Sequence, residues 1–172
     1  MTGVGKTAAG KILAKRLGFD FVDLDEAIEK QAGKSICEIF ERQGANVFRD
    51  LESQELARTV DSDKTVIALG AGALERDANF ALIEKKGTLV YLRTRLNLLL
   101  SRHTFLQTRP LLKNCESERD LRIALKIMFE RRKQRYERAS LIVDMGAHSS
   151  AEQTADFIAE ELQKQWTATN SV

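Results

Sequence analysis

Gly3-Val4-Gly5-Lys6-Thr7, running into Ala8-Ala9-Gly10-Lys11-Ile12-Leu13, opens the chain and decides how the rest is read. Its first five residues match the end of the phosphate-loop pattern G-x-x-x-x-G-K-[ST]. Glycines let backbone N–H groups turn inward around phosphate oxygens, and the helix behind them presents its positive dipole end to the same anion. On this reading Lys6 reaches the β- and γ-phosphates of a nucleotide, and the Thr7 hydroxyl sits on Mg2+. Residues 7–17 place Ala8, Ile12, Leu13 and Leu17 along one helical face, and Gly18 ends the helix. A GKT triplet alone arises often by chance, the alternative being a glycine-rich frayed terminus. The amphipathic helix behind it favours the loop. The pattern's first glycine would fall one position before Met1, and the strand that should launch the loop is not in the chain. Either roughly eight to twelve residues lie upstream, reading as an apolar strand plus glycine, or the sheet folds with a gap. The former is favoured.

Working outward, the remaining elements alternate. Phe19 to Leu24 has the alternation of a short strand, and Asp25 to Gln31 reads as helix. Ser35-Ile36-Cys37-Glu38 is a capping box opening another helix. A longer helix over about 45–60 carries Val47, Phe48, Leu51 and Leu56 on its apolar side. Thr65 to Leu69 is a continuous apolar run closed by Gly70-Ala71-Gly72, as suits a strand buried on both faces. A helix over 77–85, a strand over 88–92 and a helix over 95–103 follow. Residues 104–116 contain the chain's one proline, Pro110, and lack a clean period. Ser117 caps a helix running to about 138, Leu141 to Val143 is a brief strand, and Ser150 caps a final helix ending near Trp166. Strands alternating with helices imply an α/β layer fold with a parallel sheet.

At 172 residues the chain is long enough for one domain that buries roughly 70% of its unfolded surface. With 43% apolar and 30% charged residues it is expected to fold, and 27 basic against 25 acidic residues leave a net charge of +2. That balance gives no reason to expect broad binding to nucleic acid or anionic membrane. The longest apolar runs fall far short of the roughly 20 residues of a membrane helix, and the first ten residues do not resemble a signal peptide. Cys37 and Cys115 form no metal-ligand cluster and read as two reduced thiols of a cytoplasmic protein.

Next to a phosphate loop, acidic residues acquire definite tasks. Asp23 and Asp25 share one side of a strand end, so one can hold the metal's water shell while the other orients or deprotonates an attacking hydroxyl. The plain alternative is that both merely cap the following helix. Arg49 and Glu52 stand at i, i+3 on a helix, either as a surface ion pair worth little or as a guanidinium held rigid for a carboxylate ligand. The run Arg131 to Arg138 is the densest basic stretch and fits a cationic rim around an anionic substrate and nucleotide better than a nucleic-acid face. In the proline-bearing loop, Arg109 could be delivered over a transferring phosphate. His103 and His148 form no paired ligand pattern.

Taken in order, GVGKT, the FVDLD strand end, the FRDLE helix, Gly70-Ala71-Gly72 after TVIAL, Arg102 ahead of the RPLL loop, and the Arg132 to Tyr136 helix resemble the shikimate kinase family. The likeness spans essentially the whole chain. It implies the three-layer P-loop kinase fold, with four strands visible and the central first strand missing. It also implies one domain over 1–172 with a lid around 104–116, and transfer of the ATP γ-phosphoryl group to the 3-hydroxyl of shikimate.

By position, the resemblance makes Thr7 and Asp23 the Mg2+ partners, and Asp25 the residue that binds the shikimate hydroxyls and acts as base. It assigns Gly3, Val4, Gly5, Lys6, Thr7 and Ala8 to ATP, with Lys6 also catalytic. Arg49 and Arg132 become the grip on the substrate carboxylate, Glu52 orients Arg49, and Ala71 and Gly72 line the substrate. Arg109 is the lid arginine, Arg102 packs on adenine, and the loop Gly146 to His148 contacts the base's other side. The implied partners are ATP, Mg2+ and the small-molecule substrate, in a cytoplasmic monomer with no nucleic acid or membrane partner.

Ala71 departs from the family's usual three glycines, and a backbone N–H contact there survives only if its φ is negative. Two alternatives stay open: a kinase for another small metabolite such as gluconate, and a catalytically impaired nucleotide-binding homologue.

Overall fold

The computed structural model describes residues 3–101, 110–113, 115–146 and 150–169. The first glycines turn the chain into α1 (Lys6–Leu17), which ends on Gly18 in the left-handed conformation. β1 (Asp20–Asp23) then leads directly into α2 (Leu24–Ala32). The next helix, α3 (Ile36–Thr59), opens on the expected capping box, Ser35 with Glu38, and is interrupted at Gly44, where φ is 84°. The two helices expected from the sequence are thus the two arms of one kinked element. β2 (Thr65–Ala68), a single 3-10 turn (Ala73–Glu75) and α4 (Asp77–Lys86) follow.

In the C-terminal half come β3 (Val90–Thr94), α5 (Leu96–Leu100), a second 3-10 turn (Pro110–Leu112), α6 (Glu118–Tyr136), β4 (Leu141–Met145) and α7 (Ala151–Thr169). β3 begins two residues later than the apolar run suggests, and α5 is shorter than expected. Most of the proposed lid, 104–109, and Asn114 lie outside the described residues.

All strands are parallel, as the alternation requires, but they pair as β1 with β2 and β3 with β4. Between β2 and β3 lies a cavity of about 470 Å³, lined by residues of both strands and by Leu13 of α1 and Ile158 and Leu162 of α7. Among the described residues no strand joins the two pairs. β2 is half-buried along Thr65 to Ile67, where the sequence suggests a strand buried on both faces. Within the second pair, Arg93 and Asp144 stand opposite each other in register and form an ion pair at 2.5 Å.

Packing on the first pair corrects the expected face of α1. Ala9, Gly10, Leu13 and Ala14 are buried, whereas Ala8 is exposed and Ile12 and Leu17 are only partly covered. Small residues win because α1 lies close on β1: a Cβ at Gly10 would stand 2.7 Å from the Phe21 ring. The core continues through Leu24 and Ile28 of α2, Ile39, Phe48 and Leu56 of α3, and Leu121 and Leu125 of α6. Among the described residues no helix is long and apolar enough to cross a membrane.

Candidate active site

Gly5 carries φ of 96°, a conformation that costs a side chain steric strain, and so lets the loop turn straight into α1. Lys6 and Thr7 thereby sit in the first turn of the helix, next to the end of β1. The Thr7 hydroxyl donates to Asp23 Oδ2 at 2.6 Å. The other Asp23 oxygen accepts from the backbone N–H groups of Asp25, at 3.0 Å, and Glu26, at 3.4 Å. Asp23 is thus both the N-cap of α2 and the tie between loop and strand, so the capping and functional readings describe the same side chain. Val4 is buried, and Ala8, assigned to ATP by the resemblance, faces outward.

The turn Gly70-Ala71-Gly72 joins this end of the site to the other. A Cβ on Gly70 would lie 2.6 Å from Glu52 Oε1 and 2.9 Å from Asp25 Oδ1, so both carboxylates close on the backbone there. A Cβ on Gly72 would collide with the Arg49 guanidinium. Ala71 sits between them without strain, because Lys64 is the one non-glycine residue of positive φ among the described residues. The Ala71 carbonyl accepts from the Tyr136 hydroxyl at 3.0 Å. A small cavity of about 50 Å³ puts Lys6, Gly70, Ala71 and Tyr136 around one space.

Arg49 Nη1 donates to Glu52 Oε2 at 2.6 Å, and the two side chains are only 14% and 1% exposed. This is a buried pair, and the surface ion pair weighed from sequence is excluded. The carboxyl of Glu52 is pushed above its ordinary range by burial, opposed by the charge of Arg49 and reinforced by Asp25 and Glu75. Its Oε1 has no hydrogen-bond partner among the described residues. From α6, Arg132, itself 4% exposed, donates through Nε to Glu75 Oε1 at 2.6 Å and through Nη2 at 2.5 Å. Burial pushes the Tyr136 hydroxyl up to about 12, with Arg132 opposing, so Tyr136 stays protonated as a donor. Its ring stacks on Tyr91 at 4.7 Å.

The structure therefore brings together Asp25, Arg49, Glu52, Ala71, Gly72 and Arg132 at one end, and Gly3, Gly5, Lys6, Thr7 and Asp23 at the other. Arg102, Arg109 and His148 lie outside the described residues. In the basic run expected to form a cationic rim, two further arginines are engaged away from the site. Arg135 is held by the Leu74 carbonyl and Asp77, and Arg138 pairs with Glu84 at 2.7 Å and lies over the Phe80 ring. These residues fasten α6 to α4, and Arg132 is the member of the run that turns into the site. Sequence reasoning missed Glu75 and the Tyr136 hydroxyl. Glu75 belongs to no motif; Tyr136 ends the Arg132 to Tyr136 segment, one helical turn from Arg132, but the sequence assigns its hydroxyl no role.

A shikimate kinase family model matches residues 2–163. A curated shikimate kinase of Ruegeria pomeroyi is 40% identical over 162 residues, covering 94% of this chain and 81% of that one. The shikimate kinase of Thermodesulfovibrio yellowstonii is 36% identical over 162 residues, covering 94% of this chain and 91% of its own length. Among solved structures, shikimate kinase from Acinetobacter baumannii in complex with shikimate superimposes with a TM-score of 0.85 at 33% identity, covering 95% of this chain and 89% of that one. Shikimate kinase from Bacteroides thetaiotaomicron gives a TM-score of 0.85 at 28% identity, with coverage of 95% and 94%.

Proposed function

The chain belongs to the shikimate kinase family, and on that premise we propose how its residues share the transfer of the ATP γ-phosphoryl group to the 3-hydroxyl of shikimate. The observation that carries the assignment is the convergence of Arg49, Asp25 and Glu52 on the turn Gly70 to Gly72, with Arg132 reaching the same place from α6. Shikimate is a carboxylated triol. Two guanidiniums offer planar donor pairs to its carboxylate, and Asp25 offers an acceptor to its hydroxyls. In the transfer the substrate oxygen bonds to the γ-phosphorus, the bond from that phosphorus to the bridging oxygen breaks, and ADP leaves. Asp25 takes the hydroxyl proton.

Lys6 and the N-terminus of α1 hold the phosphates, where fixed positive charge stabilises the charge spread over the transferring group. Thr7 and Asp23 present two hard oxygen ligands in mutual contact, a donor set that fits Mg2+. When bound, that ion supplies neutralisation of phosphate charge. The resemblance adds Arg109 as a lid arginine, with Arg102 and His148 beside the adenine, in a single-domain enzyme of the cytoplasm.

A coupled ADP-release assay across shikimate, gluconate and nucleoside monophosphates tests this reading. Release dependent on shikimate alone is the expected result. Faster release with gluconate would move the chain to another substrate, and nucleotide binding without turnover on any of the three would make it an impaired homologue.

A further inference from the structure

We propose that Glu75 occupies the two-arginine clamp of the free protein as an internal anion, which the incoming substrate carboxylate must displace. Glu75 is thus a specificity-determining residue for the reaction, and the proposal rests on the clamp reading given above. Its carboxylate makes both close contacts with Arg132 through Oε1, while Oε2 lies 3.9 Å from Nη2 of Arg49. One carboxylate therefore spans the two guanidiniums assigned to the substrate. The second contact is too long for a hydrogen bond, so Arg49 keeps donor capacity on the side away from Glu52.

Charge and burial decide which partner gives way. Arg49 and Arg132 are balanced by Glu52 and Glu75, with Asp25 adding a further negative charge nearby. A substrate carboxylate would bring the site to two cations against four anions. Glu52, at 1% exposure, has nowhere to go. Glu75 is 34% exposed and ends a three-residue 3-10 turn, so its side chain can rotate into water. In the free protein its presence spares two buried guanidiniums the large cost of an uncompensated charge. It also sets a threshold. A simple carboxylate gains from the clamp only what Glu75 already supplies, whereas a ligand with hydroxyls for Asp25 gains more, and selectivity is the difference of the two.

The test measures shikimate KM and kcat for the parent and for Glu75→Gln, which keeps an oxygen acceptor for Arg132 but removes the competing charge. Binding of benzoate, a ring carboxylate without hydroxyls, is titrated calorimetrically in the same two proteins. The expected result is a shikimate KM lower by about three- to tenfold, an effect on kcat smaller than that, and benzoate binding tightened by a similar factor. Should Glu75→Gln fold poorly, Glu75→Asp withdraws the carboxylate by one methylene with its charge kept, and it too is expected to lower KM. A KM unchanged or raised in the folded variant overturns the proposal, because Glu75 would then hold the arginines in place and compete with nothing. No turnover of shikimate in either protein, with benzoate still tighter in the variant, overturns the substrate reading and leaves the displaced carboxylate standing.

Discussion

At one end of the site, Arg49 and Arg132 are 14% and 4% exposed, and each already holds a carboxylate. At the other, Gly5 is exposed, Lys6 and Thr7 are half-buried, and the hydrogen bond from Thr7 to Asp23 ties the loop to β1. The clamp is built into the core of the fold, with its guanidiniums fixed by folding. The phosphate end is the N-terminus of α1, where Lys6 and Thr7 are half-buried and the loop ahead of them turns through Gly5. The difference follows from the ligands. Burying a guanidinium for a small carboxylate requires standing counter-charges, since an unpaired buried charge is costly. A polyphosphate brings enough charge of its own to organise exposed donors around it.

If that contrast holds, damage at the two ends should separate in kinetics and in stability. Lys6→Ala removes a charge that acts on the transferring phosphate. Its expected effect is a fall in kcat of about a thousandfold, with Tm and shikimate binding close to the parent. Turnover by rapid quench and shikimate affinity by calorimetry check it. A drop in Tm of several degrees would show that the phosphate end, too, is part of the folded framework.

Arg49→Lys keeps the charge but replaces a planar fork with a point donor that cannot serve Glu52 and a ligand together. We expect shikimate KM to rise by about ten- to a hundredfold with ATP KM nearly unchanged. Tm should fall as well, because Glu52 loses its close partner. An unaltered shikimate KM would remove Arg49 from the clamp.

The two ends also differ in how far they could be read from residues. GVGKT is legible because phosphate binding constrains a contiguous run, in which local backbone geometry and helix dipole do the work. Arg49 with Glu52 is legible as a helical pair, but an i, i+3 spacing carries no information on burial, which depends on Phe48 and the Gly70 to Gly72 turn packing over it. Glu75 was not legible at all. Its role comes from a 3-10 turn meeting α6 across 57 residues of sequence. The basic run Arg131 to Arg138 misled for the same reason. Its charges read as available, yet partners on α4 and the 3-10 turn hold Arg132, Arg135 and Arg138. On α1 the apolar pattern finds Leu13 but not Ala9, Gly10 and Ala14, because small residues mark the side that sits closest to a strand.

A third measurement sharpens the contrast through pH. Burial raises the Glu52 carboxyl above its ordinary value of 4.5, so folding favours its protonated form. The associated stability is fully present below that ordinary value and is lost as pH rises through the raised value of the folded state. Comparing parent and Glu52→Gln by chemical denaturation from pH 4 upward should show the parent losing ground across that window and then running level. A difference independent of pH would mean that Arg49 fully compensates the burial.

The smallest effect is expected where the two ends join. Ala71 stands where the resemblance leads one to expect glycine, and glycine is needed there only if φ is positive or the space is full. Neither condition is met: Ala71 does not adopt positive φ, and its carbonyl accepts the Tyr136 hydroxyl at 3.0 Å, fixing the peptide orientation from α6. Ala71→Gly therefore gives the folded protein no conformational relief, and it gives the unfolded chain more freedom to lose on folding. The variant should be less stable by about 0.5–1 kcal/mol, read as a slightly lower denaturation midpoint, with kcat and shikimate KM within twofold of the parent. A clear gain in shikimate affinity would show that the alanine methyl crowds the substrate, and would place the turn in direct contact with it. A large loss of affinity would show instead that the methyl helps to hold Tyr136 and, one helical turn away, Arg132.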